Sequence, residues 1–340
     1  MIIWIAFIAL IVFFLALDLG VFHKNPHAVT AKEAINWTMV WVTVSVAFSG
    51  VIYKIYQEGW TDNVNNLTPQ QAVLDYLTGY VIELSLSMDN IFVIAVIFAY
   101  FGIPKVYQHR VLFWGILGAI FFRAIMIVLG VVLINKFSFM TYLFGALLLY
   151  SAYKMLSTEE QEVDPRRNPL VKLTKRFFPV VSQFVGNRFF VKRGKYRAAT
   201  PLFIALLVVE TTDVLFAIDS IPAILAITTD PFLVFSSNIF AILGLRSLYF
   251  VLASMLDRFH LLKYSLVFIL AFVGVKMILI HYVHFPEWLS LAVIFTSLAV
   301  GIVASLFQTR KHEKETVDQS FFNDNENKQP TEEEQSTTNN

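Results

Sequence analysis

Long unbroken apolar runs separated by short polar connections set the pattern of this chain. Ile91 to Phe101 is one such run, without a single charged residue. A lipid-facing β-barrel would instead show segments of about ten residues alternating apolar with polar. A helix that crosses a bilayer needs about 20 mostly apolar residues. Nine stretches satisfy that need: 1–22, 36–56, 76–100, 108–134, 138–156, 200–226, 233–256, 262–283 and 287–308. The first lacks a basic leader and outruns the apolar part of a signal peptide, so it is expected to be retained. The expected fold class is all-α: a polytopic membrane protein of about nine transmembrane helices.

The basic residues orient those helices, because cytoplasmic connections carry the excess of Lys and Arg. The first connection holds Lys24 and Lys32, the third Lys105 and Arg110, the seventh Arg258 and Lys263. The fifth, 157–199, is the richest, with Arg166, Arg167, Lys172, Lys175, Arg176, Arg188, Lys192, Arg193, Lys195 and Arg197. The even connections hold almost none, and the 57–75 loop offers Glu58, Asp62 and Asp75. An N-out, C-in arrangement in the membrane is expected. Within 157–199, Leu170, Leu173 and Phe177 recur at helical spacing among basic residues, as an interfacial helix on anionic headgroups would. A small hairpin is expected around Phe189 to Arg197. Residues 309–340, rich in Glu, Asn, Gln and Thr, are expected to be a disordered tail.

Composition agrees and removes other classes. Of the 340 residues 57% are hydrophobic and 15% charged, against about 45–50% and 25% in a soluble domain. A net charge of +1 argues against a nucleic-acid partner. With Cys 0, disulfides, thiolate metal sites and thiol catalysis are excluded.

An internal repeat is legible. Glu83 to Ile91, with Asp89 and Asn90, returns as Asp213 to Ile221, with Asp219 and Ser220. Gly118 to Arg123 returns as Ala241 to Arg246, and Lys154 returns as Lys276. The chain thus divides into two N-terminal helices (1–56), a first three-helix unit (76–156), the basic loop (157–199), a second three-helix unit (200–283), a last helix (287–308) and the tail. Three helices per unit force the two units into opposite orientations, the inverted repeat on which many secondary transporters build two interconvertible states.

Nine ionisable residues fall within or at the margins of the spans: Asp18, Glu83, Asp89, Glu210, Asp213, Asp219, Arg123, Arg246 and Lys276. A charge at a helix centre costs about 2.5–3.5 kcal/mol by insertion scales, so these groups must face one another or a hydrated cavity. Arg123 and Arg246 are expected to pair with carboxylates or to gate, and Lys276 to pair or to snorkel outward. Six acids against three bases leave three negative charges in excess, of which a divalent cation would offset two and a proton the third. An anion would worsen the excess. All seven His lie in expected loops, ends or the tail, which disfavours zinc- or copper-type ligation within the membrane. Carboxylates with carbonyl, hydroxyl and amide oxygens suit Mn²⁺, Mg²⁺ or Ca²⁺. Asn90, Ser87, Ser220 and Asn238 would add neutral oxygens, and Met88 would tilt selection towards Mn²⁺. Pro222 deprives the Ile218 carbonyl of its donor. Local unwinding there would let Asp213 and Asp219, about 240° apart on an ideal helix, aim at one ion.

At these residues the chain resembles the TerC/Alx family of integral membrane proteins, named for tellurium resistance and placed with LysE-type exporters. The carrying motifs are Leu17-Asp18-Leu-Gly20-Val-Phe22, Glu83-Leu-Ser-Leu-Ser-Met-Asp89-Asn90, Val209-Glu210-Thr-Thr-Asp213, Phe216-Ala-Ile-Asp219-Ser220-Ile-Pro222-Ala223, Arg246-Ser-Leu-Tyr249-Phe250 and Phe272-Val-Gly274-Val-Lys276. The resemblance runs over nearly all of residues 1–308. It implies manganese export or related metal homeostasis, with tellurite resistance, pH response or membrane-protein assembly for other relatives. The implied ion ligands are Glu83, Asp89, Glu210, Asp213 and Asp219, with Asp18 as an extra candidate. The leading expectation is export of Mn²⁺ as substrate by alternating access, with Ca²⁺ or Mg²⁺ as alternatives, no organic cofactor and no enzymatic activity. No P-loop pattern appears that would supply ATP drive. The competing expectation is a scaffold or assembly factor in metal stress, acting through the basic loop, in which the buried charges serve only to hold the bundle.

Overall fold

The computed structural model describes residues 2–22, 30–63, 65–157, 171–172, 179–181, 183–193, 196–253, 262–280, 282–283 and 285–326. Among them are nine helices: α1 (Ile2–Phe22), α2 (Ala31–Gln57), α3 (Pro69–Tyr100), α4 (Lys105–Lys136), α5 (Phe139–Ser157), α6 (Pro201–Leu225), α7 (Pro231–Ala253), α8 (Leu262–Leu279) and α9 (Glu287–Glu326). Seven are long and apolar enough to cross a membrane, and α1 is apolar over Ile2–Leu17.

Local chemistry sets the helix starts. Thr68 and Gln71 form a reciprocal cap: Gln71 N donates to Thr68 Oγ1 at 3.3 Å, and Thr68 N donates to Gln71 Oε1 at 2.9 Å. Pro69 then takes the first helical position, where a missing N–H costs nothing. This cap moves the start of α3 ahead of the apolar run at 76 and brings Asp75 inside the helix. At α7, Asp230 Oδ1 accepts from Phe232 N at 2.9 Å and Leu233 N at 3.3 Å, ahead of which stands Pro231. Between α3 and α4 the chain reverses at Gly102, whose φ of 60° favours a residue without Cβ.

The unwinding expected near Pro222 is not seen. α6 runs as one helix through Pro222 to Leu225. The proline sits so near the C-terminus that a single lost donor is tolerated without a break.

α7 is buried along most of its length and packs against α3, α2 and α4. α4 packs on α6, α5 on α8, and α9 on α3 and α8. Aromatic rings of α1, α2, α3 and α7 interlock around Phe7, Phe48, Tyr76 and Phe240. Serines zip α8 to α9: Ser265 Oγ donates to Ser297 O at 2.9 Å, and Lys276 Nζ to Ser290 Oγ at 2.9 Å. Surface and interior are reversed relative to a soluble protein. Phe121, Val128, Leu215 and Phe295 are exposed, while Glu83, Asn90, Arg123, Arg246 and Lys276 are buried. Lipid covers such an apolar exterior, and backbone groups inside it are satisfied within each helix. Side-chain hydroxyls are satisfied in the same way, Thr211 and Thr212 donating from Oγ1 to the carbonyls of Leu207 and Val208.

The expected hairpin is present. β1 (Phe190–Arg193) pairs antiparallel with β2 (Tyr196–Ala199), with Phe190 opposite Ala199 and Arg193 opposite Tyr196. Thr200 Oγ1 donates to Arg188 O at 2.7 Å and so ties the hairpin to the start of α6. The segment expected to form an interfacial helix, 170–177, lies outside the described residues except for Val171 and Lys172, which are helical. α9 continues past the apolar stretch to Glu326; residues 327–340 of the tail lie outside the described residues.

Candidate functional site

Asp75, Gly79, Glu83 and Ser87 recur every four residues on α3, and all are buried. This spacing puts them on one face of the helix. The same face meets α4 and α6 through charge. Arg123 of α4, fully buried, donates from Nε to Asp213 Oδ2 at 3.1 Å and from Nη2 to Asp213 Oδ1 at 2.9 Å. Its Nη1 donates to Glu83 Oε1, and the two form an ion pair. Ser87 Oγ reaches the same Glu83 oxygen at 3.5 Å. Only a guanidinium has the planar fork to grip one carboxylate at two points while holding a second. Glu83 and Asp213, matched positions of the internal repeat, therefore share one cation between helices from both units.

Glu210 lies one turn before Asp213 on α6. Its carboxylate sits on Gly118 of α4, so that a Cβ at that glycine would fall 2.0 Å from Oε1 and 2.1 Å from Oε2. Oε2 is buried without a hydrogen-bond partner. We expect Gly118→Ala to evict this carboxylate. The obstruction is the mobile end of a side chain, so thermal stability should change by about 1 kcal/mol or less. Cation-dependent readouts should change much more, as a ligand-binding titration of the purified variant will check.

Beside the ion pair is a cavity of about 20 Å³, lined by Asn90, Thr212, Asp213 and Arg246 among apolar neighbours. That is room for about one water molecule. Asp219, by contrast, is engaged by α5: Ser151 Oγ donates to its Oδ1 at 2.7 Å. Asp89 lies within the field of Lys263 at the start of α8. Ser220 Oγ is buried and without a hydrogen-bond partner. Lys276 is buried against Ser290 rather than snorkelled outward. The side chain of Asp18 lies outside the described residues.

The structure thus brings Glu83, Asp213 and Arg123 together, with Asn90, Glu210 and Arg246 around them, and holds Asp219 apart on Ser151 of α5. Among the described residues, no three carboxylates or imidazoles converge closely enough to hold a metal ion. Ser151 and Gly118 escape sequence reasoning, since neither is distinguishable from ordinary small residues of an apolar helix.

A helical bundle that is apolar outside and carries paired charges inside defines a multi-pass integral membrane protein. The model of the integral membrane protein TerC family matches residues 68–313. The chain belongs to the TerC family. It is 47% identical over 308 residues to an uncharacterized membrane protein of Myxococcus xanthus, covering 90% of this chain and 92% of that protein. It is 43% identical over 305 residues to a membrane protein of Rickettsia bellii, covering 90% and 97%. It is 41% identical over 315 residues to the Escherichia coli (strain K12) protein named "Putative membrane-bound redox modulator Alx", covering 92% and 96%. No solved structure matches the chain significantly.

Proposed function

We propose that this protein is a secondary transporter that exports a divalent cation, Mn²⁺ foremost, with Glu83, Asp89, Asn90, Glu210, Asp213 and Asp219 as its ligand set. The observation that carries the reading is the sharing of Arg123 by Glu83 and Asp213. Equivalent acids of two sequence-related units meet on one positive charge beside a small cavity. In this reading Arg123 is the resident counter-ion of the empty carrier, and a divalent cation competes with it for the same oxygens. Hard oxygen ligands suit Mn²⁺, Mg²⁺ and Ca²⁺.

Packing supports the inverted repeat that the mechanism needs. α3 lies against α7 as α4 lies against α6, and α5 meets α8. Exchanging the two units leaves this set of pairs unchanged. The distribution of basic connections supports an N-terminus outside and a C-terminus in the cytoplasm for this carrier. The reading is of a carrier rather than an enzyme. The name of the Escherichia coli relative points to redox modulation; with Cys 0 in this chain, such a role would run through a metal ion or a partner, not through thiols of its own.

In proteoliposomes loaded with Mn²⁺, Asp89→Asn and Asp219→Asn should abolish flux while the protein elutes and melts as a folded monodisperse species. Retained flux in both variants would overturn this ligand set. A protein that moves no cation, yet supports growth under metal stress only while 157–199 is intact, would be the scaffold instead.

A further inference from the structure

Alternate residues of a strand share a face. In the β1–β2 hairpin the register sets Phe190 opposite Ala199 and Lys192 opposite Arg197, so one face carries an aromatic ring and then two cations side by side. Like charges directly opposite one another destabilise a strand pair. Lys192 and Arg197 are both exposed, and among the described residues no carboxylate pairs with either. The sequence offers none nearby, since no Asp or Glu stands between Asp164 and Glu210. A connection kept merely soluble would intersperse both signs of charge. This face lacks its negative partner.

Aromatic rings fix the level at which the two cations stand. Phe190 meets Phe203 in the first turn of α6, ring centroids 4.4 Å apart. Phe189 lies under the guanidinium of Arg110, near the start of α4, at 5.0 Å, and meets Trp114 edge-on at 6.5 Å. Trp114 is 47% exposed, on a helix whose outer surface is otherwise apolar. Aromatic side chains near the ends of spanning helices sit at the level of the lipid headgroups. From Phe190 to Lys192 is two residues, about 7 Å along a strand. The cations therefore stand just beyond an aromatic belt, within reach of phosphate groups.

We propose that the hairpin face carrying Lys192 and Arg197 binds the headgroups of anionic phospholipids in the adjoining leaflet. A headgroup phosphate accepts charge-assisted hydrogen bonds from both side chains and supplies the negative charge that relieves their repulsion. The other source of negative charge on this chain is its tail, with Glu332, Glu333 and Glu334. The rings of Phe190, Phe203 and Trp114 favour lipid over that polar segment. This inference goes beyond the transport reading and asks nothing of the central carboxylates.

With Cys 0 in the chain, Tyr196→Cys gives a single attachment point for a nitroxide, at an exposed position beside Arg197. The labelled full-length protein is placed in nanodiscs of phosphatidylcholine alone, or with one third phosphatidylglycerol. Collision of the label with a water-soluble nickel complex reads how far the hairpin stands from the headgroups. Phosphatidylglycerol should lower that collision rate about fivefold, and 1 M salt, where the Debye length is about 3 Å, should restore it. Lys192→Gln with Arg197→Gln should abolish the lipid dependence, whereas Lys105→Gln with Lys172→Gln should leave it in place. Both pairs change exposed side chains, and the salt arm needs no substitution beyond the label. Equal collision rates in the two lipids, or a dependence that survives Lys192→Gln with Arg197→Gln, would overturn the proposal. So would a label shielded in both lipids and freed by ending the chain at residue 326, which would put the acidic tail on this face instead.

Discussion

Arg123→Ala should destabilise the protein by about 3–5 kcal/mol, the usual consequence of stranding buried charges by removing their partner. Arg123 is fully buried, Glu83 is 1% exposed and Asp213 has a side chain 12% exposed. Neither carboxylate has water enough to replace the lost guanidinium. The loss should therefore be conditional on charge. Adding Glu83→Gln and Asp213→Asn to Arg123→Ala should recover most of the stability, since the neutral cluster no longer carries an uncompensated charge. Arg123→Lys should not rescue, because an ammonium cannot reproduce the fork on Asp213 while reaching Glu83. The same variant tests the proposed function. With its resident cation gone, the Glu83–Asp213 pair should bind Mn²⁺ more readily than in the wild type. At a concentration 100 times the dissociation constant the metal would add about 2.7 kcal/mol. Thermal unfolding in detergent, with and without Mn²⁺, reads both effects. A metal-independent melting temperature in Arg123→Ala would mean that these oxygens hold the bundle together and nothing more.

Which of these features the sequence discloses follows from the length scale of each signal. Apolar runs disclose the helices, because a bilayer demands an uninterrupted stretch that few other structures need. Repeat matching picks out Glu83 and Asp213 as equivalent and Arg123 as a neighbour in the same unit. Their meeting on one guanidinium could not be read, since it depends on how α3 and α4 both pack against α6. The same limitation hides Ser151 beside Asp219. Asp75 is a different case. Its placement in a loop follows from weighing hydropathy alone, whereas Thr68-Pro69-Gln70-Gln71 carries a capping box and an N1 proline that start the helix earlier. Local cap chemistry outranks hydropathy at a helix end, where polar residues are tolerated. Pro222 misleads in the opposite direction: a proline implies a break in mid-helix, yet near the C-terminus of α6 it ends a helix that was about to end.

Gly145→Ala should cost about 1–3 kcal/mol, in the range of overpacked interiors, although alanine is the better helix former. At Gly145 a Cβ would lie 3.0 Å from the carbonyl oxygen of Gly274 and 2.7 Å from Ile278 Cγ1. At Gly274 a Cβ would lie 3.0 Å from the carbonyl oxygen of Gly145. The backbones of α5 and α8 thus approach over two glycines, the small-residue contact by which helices pack in lipid without a hydrophobic driving force. A carbonyl oxygen cannot rotate aside as the Glu210 carboxylate can at Gly118, so the helices themselves must separate. This makes the two positions non-independent. Once Gly145→Ala has pushed α8 away, Gly274→Ala finds room already made, and the double variant should cost less than the sum of the singles. Gly50 of α2 supplies the contrast, because a Cβ there meets nothing within 4 Å. Gly50→Ala should stabilise by about 0.5–1 kcal/mol through helix propensity alone. Thermal melts of the four variants in one detergent separate the two effects. Should Gly145→Ala behave like Gly50→Ala, or the pair add in full, α5 and α8 do not meet along these glycines, and the unit-to-unit contact would have to lie elsewhere.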